Sequence, residues 1–217
     1  VRLLITAGPT REPIDPVRFL SNRSSGKMGY AIAAAALEAG HRVTLISGPV
    51  CLVPPQQARF VSVLTGDQML EAVLQHVTDC DVLVMCAAVA DYKPAKVSRH
   101  KIKKRAENLS IDLVPTHDIL ASLPKQDRQF LAVGFAAETE HLAQNAQQKL
   151  HRKNLDIIVA NAVSGTNSAM ESDENEVTVF FRNGEAQKIS RAPKKKIAQQ
   201  LVKIFANMRE KRLTKKM

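Results

Sequence analysis

Residues 3–39 read LLITAGPTREPIDPVRFLSNRSSGKMGYAIAAAALEA, and this stretch decides the fold class. A short apolar run, Leu3-Leu4-Ile5, leads into Gly8-Pro9-Thr10. A polar loop follows, holding Asn22, Ser24, Ser25, Gly26, Lys27 and Gly29. An alanine-rich amphipathic run then extends from Tyr30 to Ala39. The order is buried strand, polar turn, helix start. Such a turn collects backbone N–H groups, hydroxyls and a lysine at a helix N-terminus, where a phosphate group is favourably held. The competing reading is a helix-entry turn capped by its serines. Neither familiar phosphate motif fits. A Walker A loop needs Gly where Ser21 stands and Ser or Thr where Met28 stands. A dinucleotide fingerprint needs G-x-G-x-x-G straight after the strand, but Gly8 is followed by Pro9 and Thr10.

Outward from this unit, strand and helix patterns alternate as in βαβ repeats. Strands are expected at Arg42–Ser47, Phe60–Leu64, Asp81–Cys86, Leu131–Ala136 and Asp156–Ala160. Helices are expected at Gln68–Val77 and Glu140–Arg152. A hairpin built on Val177–Phe181 and turning at Asn183-Gly184 precedes a last helix, Pro193 to Met208. The continuous apolar run DVLVMC marks a central parallel strand. The fold expected is α/β: a Rossmann-like, mostly parallel sheet flanked by helices, with a flap insertion and a C-terminal β-hairpin and helix. Residues 1–217 read as one domain, with the flap at about 92–113 and a basic tail at about 209–217. Asp91 to Val114 shows no helical or strand period of useful length and reads either as a mobile flap or as a merely solvated insertion. It is also basic, with Lys93, Lys96, Arg99, Lys101, Lys103, Lys104 and Arg105 preceding Glu107. It follows the C-terminal end of a central strand, where α/β sheets bind ligands.

The formal charge of +10 invites a nucleic-acid reading, so its location matters. From Lys188 onward there are eleven basic residues against one acid, Glu210, while the rest of the chain carries twenty of each sign. The excess therefore belongs to the last helix and tail, read as a solvated basic end. Only Phe205 interleaves there, too little for a nucleic-acid face, so no nucleic-acid partner is expected. Cys51, Cys80 and Cys86 lack CxxC spacing and read as reduced, mostly buried thiols of a cytoplasmic protein. No run approaches membrane-spanning length and no signal peptide is visible, so no membrane partner is expected.

Small or polar residues follow the expected strands: Gly8 and Thr10, Ser47 and Gly48, Ala87, Ala88 and Asp91, Glu138, Asn161. In a parallel sheet these converge on one edge and line a crevice. Ala87 and Ala88 would let a planar group approach the backbone, and Phe135 either stacks on a base or belongs to the core. Lys149 and Lys153 share a helix face, which by itself reads as a solvated one. The six histidines show no ligand spacing, and no hydrolytic triad, paired-carboxylate signature or HExxH is visible. The chemistry expected is charge handling around phosphates, by lysines, an amide, helix N-termini and Mg2+.

The segments ITAGPTREPIDPVRFLSNRSSGKMG, CAAVADYKP, KIKK, VGFAAET and RKNLDIIVAN, in this order, resemble the bacterial phosphopantothenoylcysteine synthetases over Leu3 to about Ala206. In many bacteria such a synthetase is the C-terminal half of a bifunctional coenzyme A biosynthesis flavoprotein. The resemblance implies a ligase that joins 4′-phosphopantothenate to L-cysteine with CTP, through an acyl-cytidylate, releasing pyrophosphate and CMP. It implies Mg2+ as well, with ligands that the sequence leaves unknown. Asn22 would act on the acyl-cytidylate, and Lys101, the first Lys of KIKK, would neutralise charge as pyrophosphate departs. Ser24, Gly26 and Gly29 would hold phosphate, with Asn161 on the substrate side. Nucleotide contacts would fall on Gly8, Ala87, Ala88 and Asp91, on His117-Asp118-Ile119-Leu120, and on Phe135, Lys149 and Lys153. His117 stands where relatives often carry Pro. Lys27 is assigned no role. A homodimer is implied, and the start at Val1 fits a domain preceded by a flavin-dependent decarboxylase. Two other readings stand beside it. An NAD(P)-dependent reductase is disfavoured by the missing glycine fingerprint and by Pro94 between Tyr92 and Lys96. A nucleic-acid module would rest on the basic tail, whose removal after Met208 should barely touch a ligase.

Overall fold

The computed structural model describes residues 1–104, 108–124, 128–138, 141–162 and 172–214. The first apolar run forms β1 (Arg2–Ala7), buried from Leu3 to Ala7. Two short strands, β2 (Arg11–Pro13) and β3 (Phe19–Ser21), then pair antiparallel before α1 (Lys27–Glu38). Next come β4 (Arg42–Ser47), β5 (Arg59–Ser62) and α2 (Gly66–His76), the last followed by a 3-10 turn, Val77–Asp79. β6 (Val82–Met85) is followed by a second small ribbon, β7 (Tyr92–Pro94) with β8 (Leu113–Pro115). The chain closes with β9 (Leu131–Glu138), α3 (Leu142–Arg152), β10 (Ile157–Ala162), β11 (Glu174–Phe181), β12 (Ala186–Pro193) and α4 (Lys194–Thr214).

Eight strands make one sheet in the order β12-β11-β10-β9-β6-β1-β4-β5. The six from β10 to β5 are parallel, and β11 and β12 add an antiparallel hairpin edge. The expected α/β architecture is therefore the one the chain adopts. Both faces of the sheet are covered, which is why its strands read as continuous apolar runs. Leu3, Ile5, Val82, Val84, Leu131 and Val133 point to the face packed by α1 and α4. Leu4, Ile46, Leu83, Ala132 and Ile158 point to the opposite face, under α2 and α3. Ala33, Ala35 and Ala36 are buried, and their small size lets α1 lie close to both the sheet and α4. α2 starts on a capping box, in which Thr65 accepts from the Gln68 amide and Gln68 accepts from the Thr65 amide. Such a cap contributes about 1 kcal/mol.

Several expected boundaries move. α1 begins at Lys27, three residues before the alanine run, on a left-handed Gly26 that has no side chain to cap it, and Ser24 Oγ accepts from the Gly26 amide at 3.3 Å. The flap is not without strands, because β7 and β8 bracket it; residues 105–107, including Arg105 and Glu107, lie outside the described residues. The expected start of the third helix at Glu140 also lies outside them, as do residues 215–217. The tail is the largest correction. α4 continues through it to Thr214, and two of its basic side chains, Arg209 and Arg212, dock on the body while Lys211 stays exposed. Arg209 pairs with Asp81, and Arg212 donates to Asp156 and to the carbonyls of Arg128 and Phe130. Carboxylates and open carbonyls at the N-terminal edge of the sheet supply the partners that charge counting could not reveal.

Candidate functional site

Two glycines allow the strand-to-helix turn. Gly8 and Gly26 both have positive φ, 72° and 76°, where side chains are strained. They lie back to back, with a Cβ on Gly26 falling 3.4 Å from Gly8 Cα and 2.8 Å from Val50 Cγ1. Gly8 thus seats the start of α1 from below and is not itself among the residues lining the cavity described next.

β1 and β6 are neighbours at the point where the chain reverses its direction of travel across the sheet, the usual site of a ligand crevice. Beyond their ends the two connecting loops are stitched together. Ala88 donates to the Gly8 carbonyl at 2.9 Å and Ala87 to Thr6 Oγ1 at 3.2 Å. Thr10 returns one bond through its amide to Ala88 O and accepts another from Ala90 on Oγ1. A cavity of about 520 Å³ opens over this edge. Its lining brings together most of the expected set: Ser24, Gly26 and Gly29; Ala87, Ala88 and Asp91; His117 to Leu120; Phe135, Lys149, Lys153 and Asn161. Segments as far apart as residues 24 and 161 thus meet in one place.

The polar side chains are held by local bonds. Lys149 Nζ donates to the Phe135 carbonyl at 2.9 Å, and Lys153 pairs with Asp118, so both ammoniums of the α3 face turn inward. Burial pushes the Asp118 carboxyl up, but Lys153 and the amides of Ala121 and Leu120 outweigh it and hold the group below the ordinary carboxylate range. His117 Nδ1 lies 2.8 Å from Asp67 Oδ1, and Lys93 Nζ lies 2.5 Å from Asp67 Oδ2. These two partners hold the Asp67 carboxyl below its ordinary value. The His-Asp-Lys contact ties the segment at His117 to the start of α2 and to β7.

Two expected catalytic residues do not line the cavity. Asn22 stands at its lip, with Nδ2 donating to the carbonyls of Ala88 and Val89, both at 3.1 Å. Both amide hydrogens are thus given to the main chain. Lys101 is exposed and lies away from the crevice. Its neighbour Ile102 is anchored on the β2–β3 ribbon, donating to Asp15 Oδ2 at 3.1 Å and accepting from Arg18 at 2.7 Å. Ser98 donates to the Ile14 carbonyl on the same side.

The lining residues that the sequence reading did not assign include Lys27, Thr116, Asn175 and Lys194. Lys27, to which the resemblance assigns no role, lines the cavity and pairs with Asp173 at 2.6 Å. Lys194 was counted within a basic run, whereas it is 5% exposed. Burial, and then the nearby Lys27 ammonium, push its pKa below the ordinary lysine value. No local motif separates it from Lys195 and Lys196. Cys86, at the end of β6, also lines the cavity, and burial pushes its thiol up to about 12. Among the described residues, no three His, Cys, Asp or Glu side chains gather to hold a metal ion, and no helix is long and apolar enough to cross a membrane.

Comparison with known proteins gives a consistent picture. The family described as the DNA/pantothenate metabolism flavoprotein C-terminal domain matches residues 1–208. The coenzyme A biosynthesis bifunctional protein CoaBC of Bacillus subtilis (strain 168) is 47% identical over 188 residues, covering 86% of this chain and 46% of that protein. The chain thus spans about half the length of the curated relatives it matches. The crystal structure of the C-terminal domain of a CoaBC superimposes with a TM-score of 0.83 at 43% identity, over 97% of this chain and 96% of the other. A Cab2 mutant in complex with phosphopantothenate-cysteine shares the fold alone, with a TM-score of 0.80 at 17% identity over 99% and 88% of the two chains.

Proposed function

The chain belongs to the family of the DNA/pantothenate metabolism flavoprotein C-terminal domain, and from that premise we propose that it is a phosphopantothenate–cysteine ligase of coenzyme A biosynthesis. The observation that carries the reading is the cavity over the β1–β6 edge. It joins a helix start, an alanine lip and two inward lysines in one concave site. The complex of Cab2 with phosphopantothenate-cysteine, on the same fold, supports the choice of product.

In this reading a carboxylate oxygen of 4′-phosphopantothenate attacks the α-phosphorus of CTP. A P–O bond forms as the bond to pyrophosphate breaks. The amine of L-cysteine, having lost a proton, then attacks the acyl carbon, and the C–O bond to CMP breaks as the amide forms. A carboxylate alone offers only oxide as a leaving group, which is why nucleotidylation comes first. The unsubstituted lip at Ala87-Ala88 leaves room for the planar cytosine and sugar. Lys149 and Lys153 make the potential around the nucleotide more positive, which favours its phosphates. Ser24, Gly26 and Gly29 hold phosphate at the start of α1. Asn22 stabilises the oxyanion of the tetrahedral intermediate, worth ~3 kcal/mol for one such donor. To do so its Nδ2 must leave the carbonyls of Ala88 and Val89. Lys101 reaches the departing pyrophosphate only if its segment leaves Asp15 and Arg18. Mg2+ prefers one or two carboxylates together with substrate phosphates, so Asp91 and the nucleotide itself would hold it, and it would neutralise phosphate charge there.

The 217 residues act as one synthetase domain, with residues 92–113 as a flap. A cytoplasmic location and a preceding flavin-dependent decarboxylase domain belong to the same proposal, supported by the bifunctional relatives. A homodimer is supported by apolar side chains left exposed on the two small ribbons, Phe19, Tyr92, Leu113 and Val114. The experiment is release of pyrophosphate and CMP from CTP, compared with ATP, in the presence of both 4′-phosphopantothenate and cysteine. Asn22→Asp should still release pyrophosphate yet stall before the amide; normal amide formation would remove the role given to Asn22. Absence of any nucleotide turnover with both acceptors present would remove the ligase reading itself.

A further inference from the structure

The start of β11 alternates: Glu174 and Glu176 are exposed, while Asn175, Val177 and Val179 are buried. Two of these inward positions hold valine, as a core strand requires, and an amide stands at the first. Asn175 is only 8% exposed, and it lines the cavity over the β1–β6 edge. Its backbone is held firmly. It pairs with Ala192 of β12 beside the bulge between Asn175 and Val177, and the Lys194 amide donates to the nearby Asp173 carbonyl at 2.9 Å. The side chain is half used, since Oδ1 accepts from the Glu176 amide at 2.9 Å. A backbone N–H can only donate, so this bond identifies the oxygen and leaves both hydrogens on Nδ2. Among the described residues no acceptor meets Nδ2, and the buried side-chain polar atom sealed without a partner is Arg209 Nε. Nδ2 is therefore not sealed, and the space open to Asn175 is the cavity it lines. An amide kept this far from bulk water with idle donors is unfavourable unless a ligand supplies the acceptor.

We propose that Asn175 is a substrate-binding residue whose Nδ2 donates to an uncharged oxygen of the acid substrate, an amide carbonyl or a hydroxyl along the pantothenoyl chain. The inference rests on the ligase reading above. Position favours the acid over the nucleotide. β11 pairs with β10, whose end carries Asn161, the residue given to the acid. Val177, the next inward residue of β11, packs on the face covered by α1 and α4, whereas Ile119 and α3, which carry nucleotide contacts, pack on the opposite face. Chemistry agrees. Ammonium groups make the stronger bonds to phosphate, while a neutral amide is matched to a carbonyl or hydroxyl. The donor is also fixed before the ligand arrives. An acid with an apolar group at that place would leave Nδ2 unpaired in a space it closes to water, so Asn175 also sets specificity.

The test is steady-state kinetics of the protein and its Asn175→Ala and Asn175→Asp variants, with KM measured separately for 4′-phosphopantothenate, CTP and cysteine, beside thermal melts. Asn175→Ala should raise KM for the acid by about tenfold and leave KM for CTP and cysteine within about twofold. Asn175→Asp keeps the acceptor for the Glu176 amide but removes the donors. It should melt close to the parent and still raise KM for the acid at least as far as Asn175→Ala does. A residue that only shapes the bulge through Oδ1 gives the opposite order, with Asn175→Asp behaving as the parent. That result overturns the inference. So does an unchanged KM for the acid in Asn175→Ala, or a rise shared equally by all three substrates. A rise confined to CTP would move the contact to the nucleotide and overturn the assignment to the acid. Should Asn175→Ala not fold, Asn175→Asp decides by the same criteria. If the parent turns over no nucleotide with both acceptors present, the ligase reading has failed first and this inference falls with it.

Discussion

Replacing Gly29 by alanine adds one methyl group where the fold has no room for it. Gly29 sits in the first turn of α1, and a Cβ there would lie 2.6 Å from Ala7 Cβ, 3.2 Å from Ala7 Cα and 3.3 Å from Thr6 O. Ordinary contact begins near 3.4 Å, so a gap of about 0.8 Å must open. Ala7 is 1% exposed at the end of a strand paired on both sides and cannot retreat. The helix start must therefore lift. Overpacking of this kind costs ~1–3 kcal/mol, offset by up to ~1 kcal/mol from the better helix propensity of alanine. The expected net loss is ~1–2 kcal/mol, or about 2–8 °C in Tm for a chain of this size. Because Gly26, Lys27 and Gly29 line the cavity, the shift also moves the helix start proposed to hold phosphate, and on that proposal turnover should fall ~10-fold or more. Thermal melts by circular dichroism and pyrophosphate release by a coupled assay measure both. A variant that melts within a degree of the parent and turns over within twofold of it would refute the close-packing account of this turn.

Truncation after Met208 should lower stability, contrary to the solvated-tail expectation, because it removes Arg209 from Asp81 and Arg212 from Asp156. A loss of ~2 kcal/mol or more in urea melts is expected, and an unchanged midpoint would show these contacts to be idle. Acid sensitivity should include a component from Asp81. Burial pushes its carboxyl up, but bonds from Arg2 and the charge of Arg209 outweigh this and hold it at about 2. A carboxyl depressed in the folded state stabilises above its unfolded pKa and loses that contribution as pH falls. Tm should thus drop between about pH 4 and pH 2, and Asp81→Asn should flatten that segment of the profile. A thiol reagent at neutral pH should modify Cys51 rapidly and leave Cys80 and Cys86 intact, since Cys51 is exposed and burial holds the other two at about 12. Three fast thiols per chain would contradict the burial of β6 and its flanks.

The parallel sheet was legible because both its faces are buried. Leu3-Leu4-Ile5 and DVLVMC can be continuous apolar runs only when helices cover either side. The polar turn before α1 was legible as a helix entry, because serines and glycines stand between an apolar run and an alanine-rich one, whereas its start on a left-handed Gly26 was not. Ribbons of three residues per strand, such as β2–β3 and β7–β8, left no period to read. Their pairing is set by neighbours distant in sequence, as when Ser98 bonds Ile14. The docking of Arg209 and Arg212 was hidden for the same reason. A basic residue looks alike in any sequence, and whether it meets water or Asp81 depends on where a helix of 21 residues comes to rest.

What the sequence by itself determined is therefore the alternation of buried strands and amphipathic helices, and with it the edge on which strand-end residues such as Ala87, Ala88 and Asn161 must gather. Periodicity and topology suffice for that. Tertiary structure alone decided which cations line that edge. It turned Lys194 inward from a run of three lysines and brought Lys27 beside it. It also left Lys101 exposed, next to an Ile102 that is bonded to Asp15 and Arg18. Burial and the distance between charges arise only when separate elements pack, and no local pattern of residues encodes them.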